Sequence, residues 1–196
     1  MKVTFTRKLS IKKIFRRFLK LVIDLEYRKA TFDDIEPIFD LINGYANDGM
    51  MLARSRNTLY ESIRDMIVAI DDDGSLIGVG SLHMIWDSLA EVRSMAVAPH
   101  MTRRGIGQEI VKRLIEDGKT FGVKKFFTLT YKPKFFEKLG FIVIQKEQLS
   151  QKVWKECIDC PKFPNCDEIA MVLPDETLNQ RFFDQVSEKI SSIRKN

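Results

Sequence analysis

Glu91-Val-Arg-Ser-Met-Ala-Val-Ala-Pro99, followed by His-Met-Thr-Arg103-Arg-Gly-Ile-Gly107, decides how this chain reads. Nine residues alternate as a strand does and stop at a proline. A short basic loop then feeds two glycines into a run of helical spacing, Ile106, Ile110, Leu114 and Ile115. Strand, basic glycine loop and helix in that order make a place for an anion. The first helical turn has N–H groups without intrahelical partners, and the helix dipole adds positive potential there. Gly105 and Gly107 carry no Cβ to hold the backbone away from phosphate oxygens, and Arg103 and Arg104 bring mobile charge. Neither the dinucleotide-binding nor the P-loop glycine spacing is present.

The rest of the chain bounds the answer. A length of 196 residues suits one domain with decoration. Three cysteines, no cleavable leader pattern and no apolar run of spanning length predict a reducing, cytoplasmic setting. The net charge of +5 belongs to one segment: residues 1–20 hold eight Lys/Arg and no acid, which leaves the remainder at 5 less 8, or −3. A nucleic-acid-binding face on the domain is therefore not expected. In residues 10–23 Ile11, Ile14, Phe15, Phe18, Leu19, Val22 and Ile23 follow helical spacing opposite Lys12, Lys13, Arg16, Arg17 and Lys20. That stripe suits packing on the protein's own core, a second copy of the chain, a membrane surface or an acidic partner, and a basic segment without acids also suits organellar targeting.

From residue 25 the order reads strand (25–30), a helix opened by the capping box Thr31-Phe-Asp-Asp34 and closed at Gly44 and Asn47-Asp-Gly49, then a short helix (57–65). A hairpin follows, Met66–Ile70 and Leu76–Trp86 around Asp-Asp-Asp-Gly74, then the central strand and the helix over 105–121. Lys124–Tyr131 reads as a strand, Pro133–Gly140 as a short helix, and 141–144 and 169–173 as two more strands. Residues 176–194 form a second amphipathic helical pattern. The expected divisions are a basic helix in 1–24, a domain over 25–175 and a terminal helix in 176–196. The fold class is α/β (α+β), a mixed sheet with helices on both faces.

These residues resemble the GCN5-related N-acetyltransferase superfamily. Its acetyl-CoA loop, roughly Gln/Arg-x-x-Gly-x-Gly/Ala after a strand ending Val-x-Pro, is similar to Val97-Ala-Pro99 with His100–Gly107, and Phe135-Phe-Glu-Lys-Leu-Gly-Phe141 is similar to its second signature. A closer resemblance, over about residues 25–173, is to amino-acid N-acetyltransferases and the acetyltransferase domain of N-acetylglutamate synthase. Tyr27-Arg-Lys-Ala-Thr31, Met51-Leu-Ala-Arg54-Ser55, Leu89–Ser94, Leu129-Thr130, Lys152–Cys157 and Cys160–Met171 carry it. It implies acetyl-CoA as co-substrate, bound by Met95, Ala96, Val97, Arg103, Arg104, Gly105, Ile106 and Gly107, and a small amino acid, L-glutamate, as acceptor.

Acyl transfer to an amine needs a base for the amine, donors for the thioester oxyanion and release of a thiolate. Period-two alternation places Glu91 and Arg93 on one strand face. Glu91 is the expected base and Arg93 a holder of substrate carboxylate, with a plain cross-strand ion pair as the other reading. The resemblance implies a strand bulge whose N–H groups near Met95–Val97 serve the oxyanion, and a carboxylate site at Arg54 and Ser55; Lys132 is a candidate for a second carboxylate. The second signature has Phe135 and Phe136 where many members have a tyrosine, so no acid is assigned to the thiolate; Tyr131 lies nearby. Cys157-x2-Cys160-x5-Cys166 admits a zinc reading with Asp167, Glu168 or His100, alongside a reduced structural cluster; no metal is assigned. Acetylation of another amine or a protein, and a CoA-binding module without turnover, are the rival readings.

Overall fold

The computed structural model describes residues 25–149, 157, 158 and 160–174. The helices expected over 10–23 and 176–194, and the 152–156 portion of the cysteine motif, lie outside the described residues.

Among the described residues seven strands alternate with helices: β1 (Glu26–Lys29), α1 (Ile35–Asn47), α2 (Arg56–Glu61), β2 (Met66–Ile70), β3 (Leu76–Trp86), β4 (Leu89–Val97), α3 (Ile106–Thr120), β5 (Lys125–Thr130), α4 (Pro133–Glu137), β6 (Ile142–Val143) and β7 (Ile169–Leu173). The strands join in the order β1-β2-β3-β4-β5-β7-β6. β1 and β3 flank β2 antiparallel, β4 and β5 run parallel, and β7 pairs antiparallel with both β5 and β6. The sheet is mixed, as its alternation of hairpins and crossovers predicts.

The chain forms two compact units. Of the described residues, one holds those up to Ser81 together with Ser94–Leu114; the other holds Leu82–Arg93 and those from Ile115 onward. In the first, Ile35, Ile38 and Ile42 of α1 bury against Met66, Val68, Val79 and Ala96. The opposite face of β2 and β3 is built for a close helix. A Cβ at Gly78 would sit 3.0 Å from Ile110 Cδ1 and 3.1 Å from Ile106 Cγ2, so small residues let α3 approach the sheet. Helices thus cover both faces of this unit.

The entry to α1 is fixed by charge. Asp34 takes two hydrogen bonds from the Arg28 guanidinium, at 2.7 and 2.9 Å, and one from the Thr31 N–H at 2.7 Å. Burial would raise its carboxyl, but the Arg28 and Thr31 bonds outweigh that and hold it below the usual carboxylate range. At the other end the expectation needs correcting: Gly44 lies inside α1, which runs on to Asn47, and Gly49 (φ +69°) makes the turn. A glycine with open space around it is tolerated mid-helix when its neighbours bury Ile38 and Ile42.

In the second unit Phe127 and Ala170 pack with Leu149, flanked by Ile85, Leu89, Leu129 and Ile144. Gly118 lets α3 close on this part of the sheet, since a Cβ there would lie 2.7 Å from both Leu82 Cδ2 and Phe126 Cε1. The second signature is an aromatic stack: Phe136 meets Phe135 at 4.9 Å and Phe141 at 5.2 Å, and Gly140 (φ +88°) turns the chain between them. The strand expected over 141–144 shortens to Ile142–Val143 because Phe141 is drawn into that stack.

Candidate functional site

β4 carries the site, and one residue changes its geometry. Ser94 has φ +55° in mid-strand, a left-handed conformation that a pleated strand does not contain. Before it, even-numbered residues face α3: Ala90 pairs in register with Phe126, which touches Gly118 of that helix. After it, the odd-numbered Met95 shares the space above Gly80 with Ile110 and Leu114, and Ala96 turns into the cluster under α1. The alternation reverses at Ser94. A bulge expected near Met95–Val97 is therefore centred one residue earlier, and Met95 and Ala96 exchange faces relative to the residues before it.

Within the first unit, the chain past β4 makes a short 3₁₀ turn, Pro99–Met101, whose carbonyl at Pro99 accepts from Thr102 Oγ1 at 3.0 Å. Arg103 (φ +63°) and Gly105 (φ +86°) both adopt left-handed backbone on either side of Arg104. A reversal of that kind lets successive N–H groups converge on one point, which suits an oxyanion. The Gly105 carbonyl accepts from Glu109 N at 3.0 Å and so starts α3, leaving the N–H groups of Ile106 and Gly107 in the first turn. Among the described residues, its chain neighbours aside, nothing lies within 4 Å of where a Gly105 Cβ would stand; Arg103 is exposed, and Ile106 is 1% exposed and anchors the helix below. The loop has the backbone and charge to hold a phosphate group.

Two residues that sequence reasoning passed over fix the neighbouring loops. The Tyr45 hydroxyl, from α1, donates to the Val97 carbonyl at 2.6 Å and ties down the end of β4. Asn43 clamps Arg54: its amide donates to Arg54 O at 3.0 Å, and its oxygen accepts from Arg54 N at 3.2 Å. Polar residues two apart inside an otherwise apolar helical run were the only signal. Arg54 is half-buried on this clamp. Ser55 is the N-cap of α2, its Oγ accepting from Thr58 N at 3.1 Å and sharing a 2.9 Å bond with Thr58 Oγ1.

In the second unit the acid and cation of β4 meet as period two predicts. Arg93 Nη1 lies 3.9 Å from Glu91 Oε2, with the side chains only 13% and 12% exposed. The pair runs along one strand rather than across two. Glu91 is in register with Phe127, so it stands on an apolar face. Beyond β5, Tyr131 donates to Asp167 Oδ1 at 2.8 Å; burial first, then this bond and the charges of Glu168, Asp167 and Cys166, push its hydroxyl up. Tyr131 is thus a held phenol, and Lys132, exposed at the start of α4, gives its N–H to Thr130 Oγ1 at 3.0 Å. Cys157, Cys160 and Cys166 are free thiols. Among the described residues no group of three or more His, Cys, Asp or Glu is placed to hold a metal ion, and no helix is long and apolar enough to cross a membrane. His83 lies in β3 and His100 in the exposed 3₁₀ turn.

Residues 33–141 match the sequence profile of the acetyltransferase (GNAT) family. An uncharacterized N-acetyltransferase of Chlorobaculum tepidum is 40% identical over 145 residues, 74% of this chain and 93% of that protein. An amino-acid acetyltransferase of Mycobacterium tuberculosis is 35% identical over 131 residues, 66% of this chain and 75% of its own. A solved Mycobacterium tuberculosis structure in complex with CoA and NLQ superposes with a TM-score of 0.67 at 31% identity, over 76% of this chain and 98% of that one. N-acetylglutamate synthase from Neisseria gonorrhoeae, solved with coenzyme A and N-acetyl-glutamate, shares the fold with a TM-score of 0.69 at 23% identity, over 76% of this chain and 34% of that one.

Proposed function

The chain belongs to the acetyltransferase (GNAT) family, with acetyl-CoA as its acetyl donor, and on that premise we propose that its acceptor is the α-amine of L-glutamate, the entry step of arginine biosynthesis in the cytoplasm. The observation that carries this reading is the Glu91–Arg93 pair, held at 3.9 Å and almost out of water on an apolar strand face. A free α-amino acid presents an ammonium and a carboxylate on one carbon. Glu91 and Arg93 offer the opposite charges two residues apart, so an amino acid entering between them replaces a loose ion pair with two close ones. A polyamine, with no carboxylate, would leave Arg93 without a substrate partner.

The Glu91 carboxylate accepts the ammonium proton, directly or through water, and frees the nitrogen lone pair. The amine nitrogen attacks the thioester carbonyl carbon, and the oxyanion is met by N–H groups of the Met95–Val97 segment beyond the reversal at Ser94. The C–S bond then breaks, and the nitrogen's second proton passes to the departing thiolate or to water as the amide forms. A thiol's ordinary pKa, about 8.5, lets it leave as a thiolate with little help, which suits a site where Tyr131 is committed to Asp167. Arg103, Arg104 and the α3 N-terminus hold the phosphates of the donor. Lys132 is the candidate for the side-chain carboxylate in this reading, and Arg54, held by Asn43, is a separate candidate for a substrate carboxylate.

The test compares glutamate, glutamine and glutamate α-amide as acceptors in the wild type and in Arg93→Ala. Loss of one charge-assisted contact should raise the glutamate KM about 10–100-fold with the acetyl-CoA KM unchanged. An α-amide turned over as efficiently as glutamate would remove the carboxylate role and the reading with it.

A further inference from the structure

Tyr45 takes no part in the transfer chemistry, yet the fold commits its hydroxyl to the strand that carries the site. Ile38, Ile42 and Tyr45 stand at i, i+4 and i+7 along α1, so the ring follows the buried isoleucines onto the cluster that also holds Ala96 of β4. The ring is apolar and fits there, whereas the hydroxyl needs a partner. It finds one across 52 residues of sequence, donating to the Val97 carbonyl at 2.6 Å. Burial, and then the charge of Asp48, push its ionisation up, so it stays a donor through neutral pH.

That bond completes a grip on one peptide. The Ala98 N–H of the same peptide donates to Ile77 O of β3 at 2.8 Å. The C=O and N–H of a trans peptide point opposite ways, so β3 holds one end and α1 the other. An extended residue projects its own N–H and C=O to one side. The Val97 N–H therefore points away from β3, beside a carbonyl that has a second lone pair. A donor and an acceptor on one residue match a secondary amide, as a sheet edge matches an added strand.

Tyr45, Ile77, Val97 and the Arg103–Gly107 loop belong to one unit. Along the chain Val97 lies between Met95, at the start of the oxyanion segment, and the loop for the phosphates. The arm of acetyl-CoA that joins thioester to phosphates carries secondary amides and must cross that interval. We propose that Tyr45 is a positioning residue for the acetyl donor: by pinning the Val97–Ala98 peptide, it presents the Val97 backbone to an amide of the donor's arm. The proposal rests on the donor lying along Met95–Val97 and the Arg103–Gly107 loop. A pinned peptide has little freedom left to lose on binding, whereas a released one must be ordered each time. The arm takes no part in the bond changes, so its contacts are the same before and in the transition state. Their loss falls on KM and not on kcat.

Tyr45→Phe removes the hydroxyl and keeps the ring. The acetyl-CoA KM, and the CoA Kd from calorimetry without any acceptor, should each rise about five- to tenfold, roughly the worth of one hydrogen bond. The kcat and the acceptor KM should stay within about twofold. The same loss in kcat/KM should appear with S-acetylpantetheine, which keeps the arm and lacks every phosphate, whereas Arg104→Ala should weaken acetyl-CoA alone. Asp34→Asn serves as the stability control, because its contacts are with Arg28 and Thr31, and it should leave the CoA Kd unchanged. An unchanged or tighter CoA Kd in Tyr45→Phe, an effect that vanishes with S-acetylpantetheine, or an equal weakening in Asp34→Asn would each overturn the proposal. If Arg104→Ala and Gly105→Ala leave acetyl-CoA binding unaltered, the phosphate loop fails alone, and the S-acetylpantetheine comparison still decides the role of Tyr45.

Discussion

Gly80→Ala tests the reversal of β4 at its tightest point. A Cβ at Gly80 would overlap Met95 Sδ and stand 2.8 Å from Ile110 Cγ2 and 3.1 Å from Leu114 Cδ1. Carbon atoms pack at roughly 3.5–4.0 Å, so three neighbours must give way at once. Ile110 and Leu114 are fully buried on α3, and a β-branched residue on a helix has one comfortable rotamer. The thioether of Met95 is the adaptable member, so the strain is relieved by moving Met95 and the peptide that carries it. Overpacking of this kind costs about 2 kcal/mol. In a chain of this size that lowers Tm by about 6 °C. Because the displaced peptide belongs to the Met95–Val97 segment, kcat should fall about tenfold as well. Denaturation and steady-state kinetics on Gly80→Ala, Met95→Ala and the double variant measure both effects. The double variant should recover about 1 kcal/mol relative to the sum of the singles, as expected of side chains in contact. A neutral Gly80→Ala, within about 0.5 kcal/mol of wild type, would mean that Met95 does not sit above Gly80 and that the strand does not reverse at Ser94.

Other variants probe separate parts. Asp34→Asn should destabilise the fold by about 2 kcal/mol at neutral pH, by leaving Arg28 without its carboxylate. The Asp34 carboxyl is held low in the folded state, so its contribution is present above the ordinary carboxylate range and is lost as pH falls through the depressed value. Urea titrations of wild type and variant should therefore converge in acid; a gap that persists there would show that the loss is not electrostatic. Gly105→Ala adds a side chain that meets nothing but must adopt φ +86°, at about 1 kcal/mol. The acetyl-CoA KM should rise with the acceptor KM unchanged, and equal changes in both would remove the loop from donor binding. Glu91→Gln should lower kcat about 100–10,000-fold and leave the acetyl-CoA KM alone; an unchanged kcat would take the base role away from Glu91.

Much of this was legible because local rules agreed. The capping box at Thr31 and the aspartate-rich hairpin turn use residues whose backbone preferences act alone, and both are present; the helix expected over Pro133–Gly140 starts at Pro133 but ends at Glu137, with a turn running on to Gly140. Glu91 and Arg93 share a face because the strand period is two, and that holds up to Arg93. What sequence did not carry was long-range or against type. Nothing local says that β7 inserts between β5 and β6, since strand order is set by which faces remain to be buried. Serine is not a residue that announces left-handed backbone, so the reversal at Ser94 was expected only through a family resemblance and one residue late. Gly44 looked like a stop and was not, because burial on either side outweighs its cost. Asn43 and Tyr45 act on Arg54 and Val97 across long stretches of sequence.

Acetyl transfer onto the α-amine of a free amino acid is the claim on which the rest depends. CoA release from acetyl-CoA, measured across free amino acids, polyamines and peptides with the acetylated product identified by mass, tests it directly. Turnover confined to glutamate and its near analogues, giving the N-acetyl amino acid, is the predicted result. CoA release with polyamines or peptides and none with any free amino acid would contradict it.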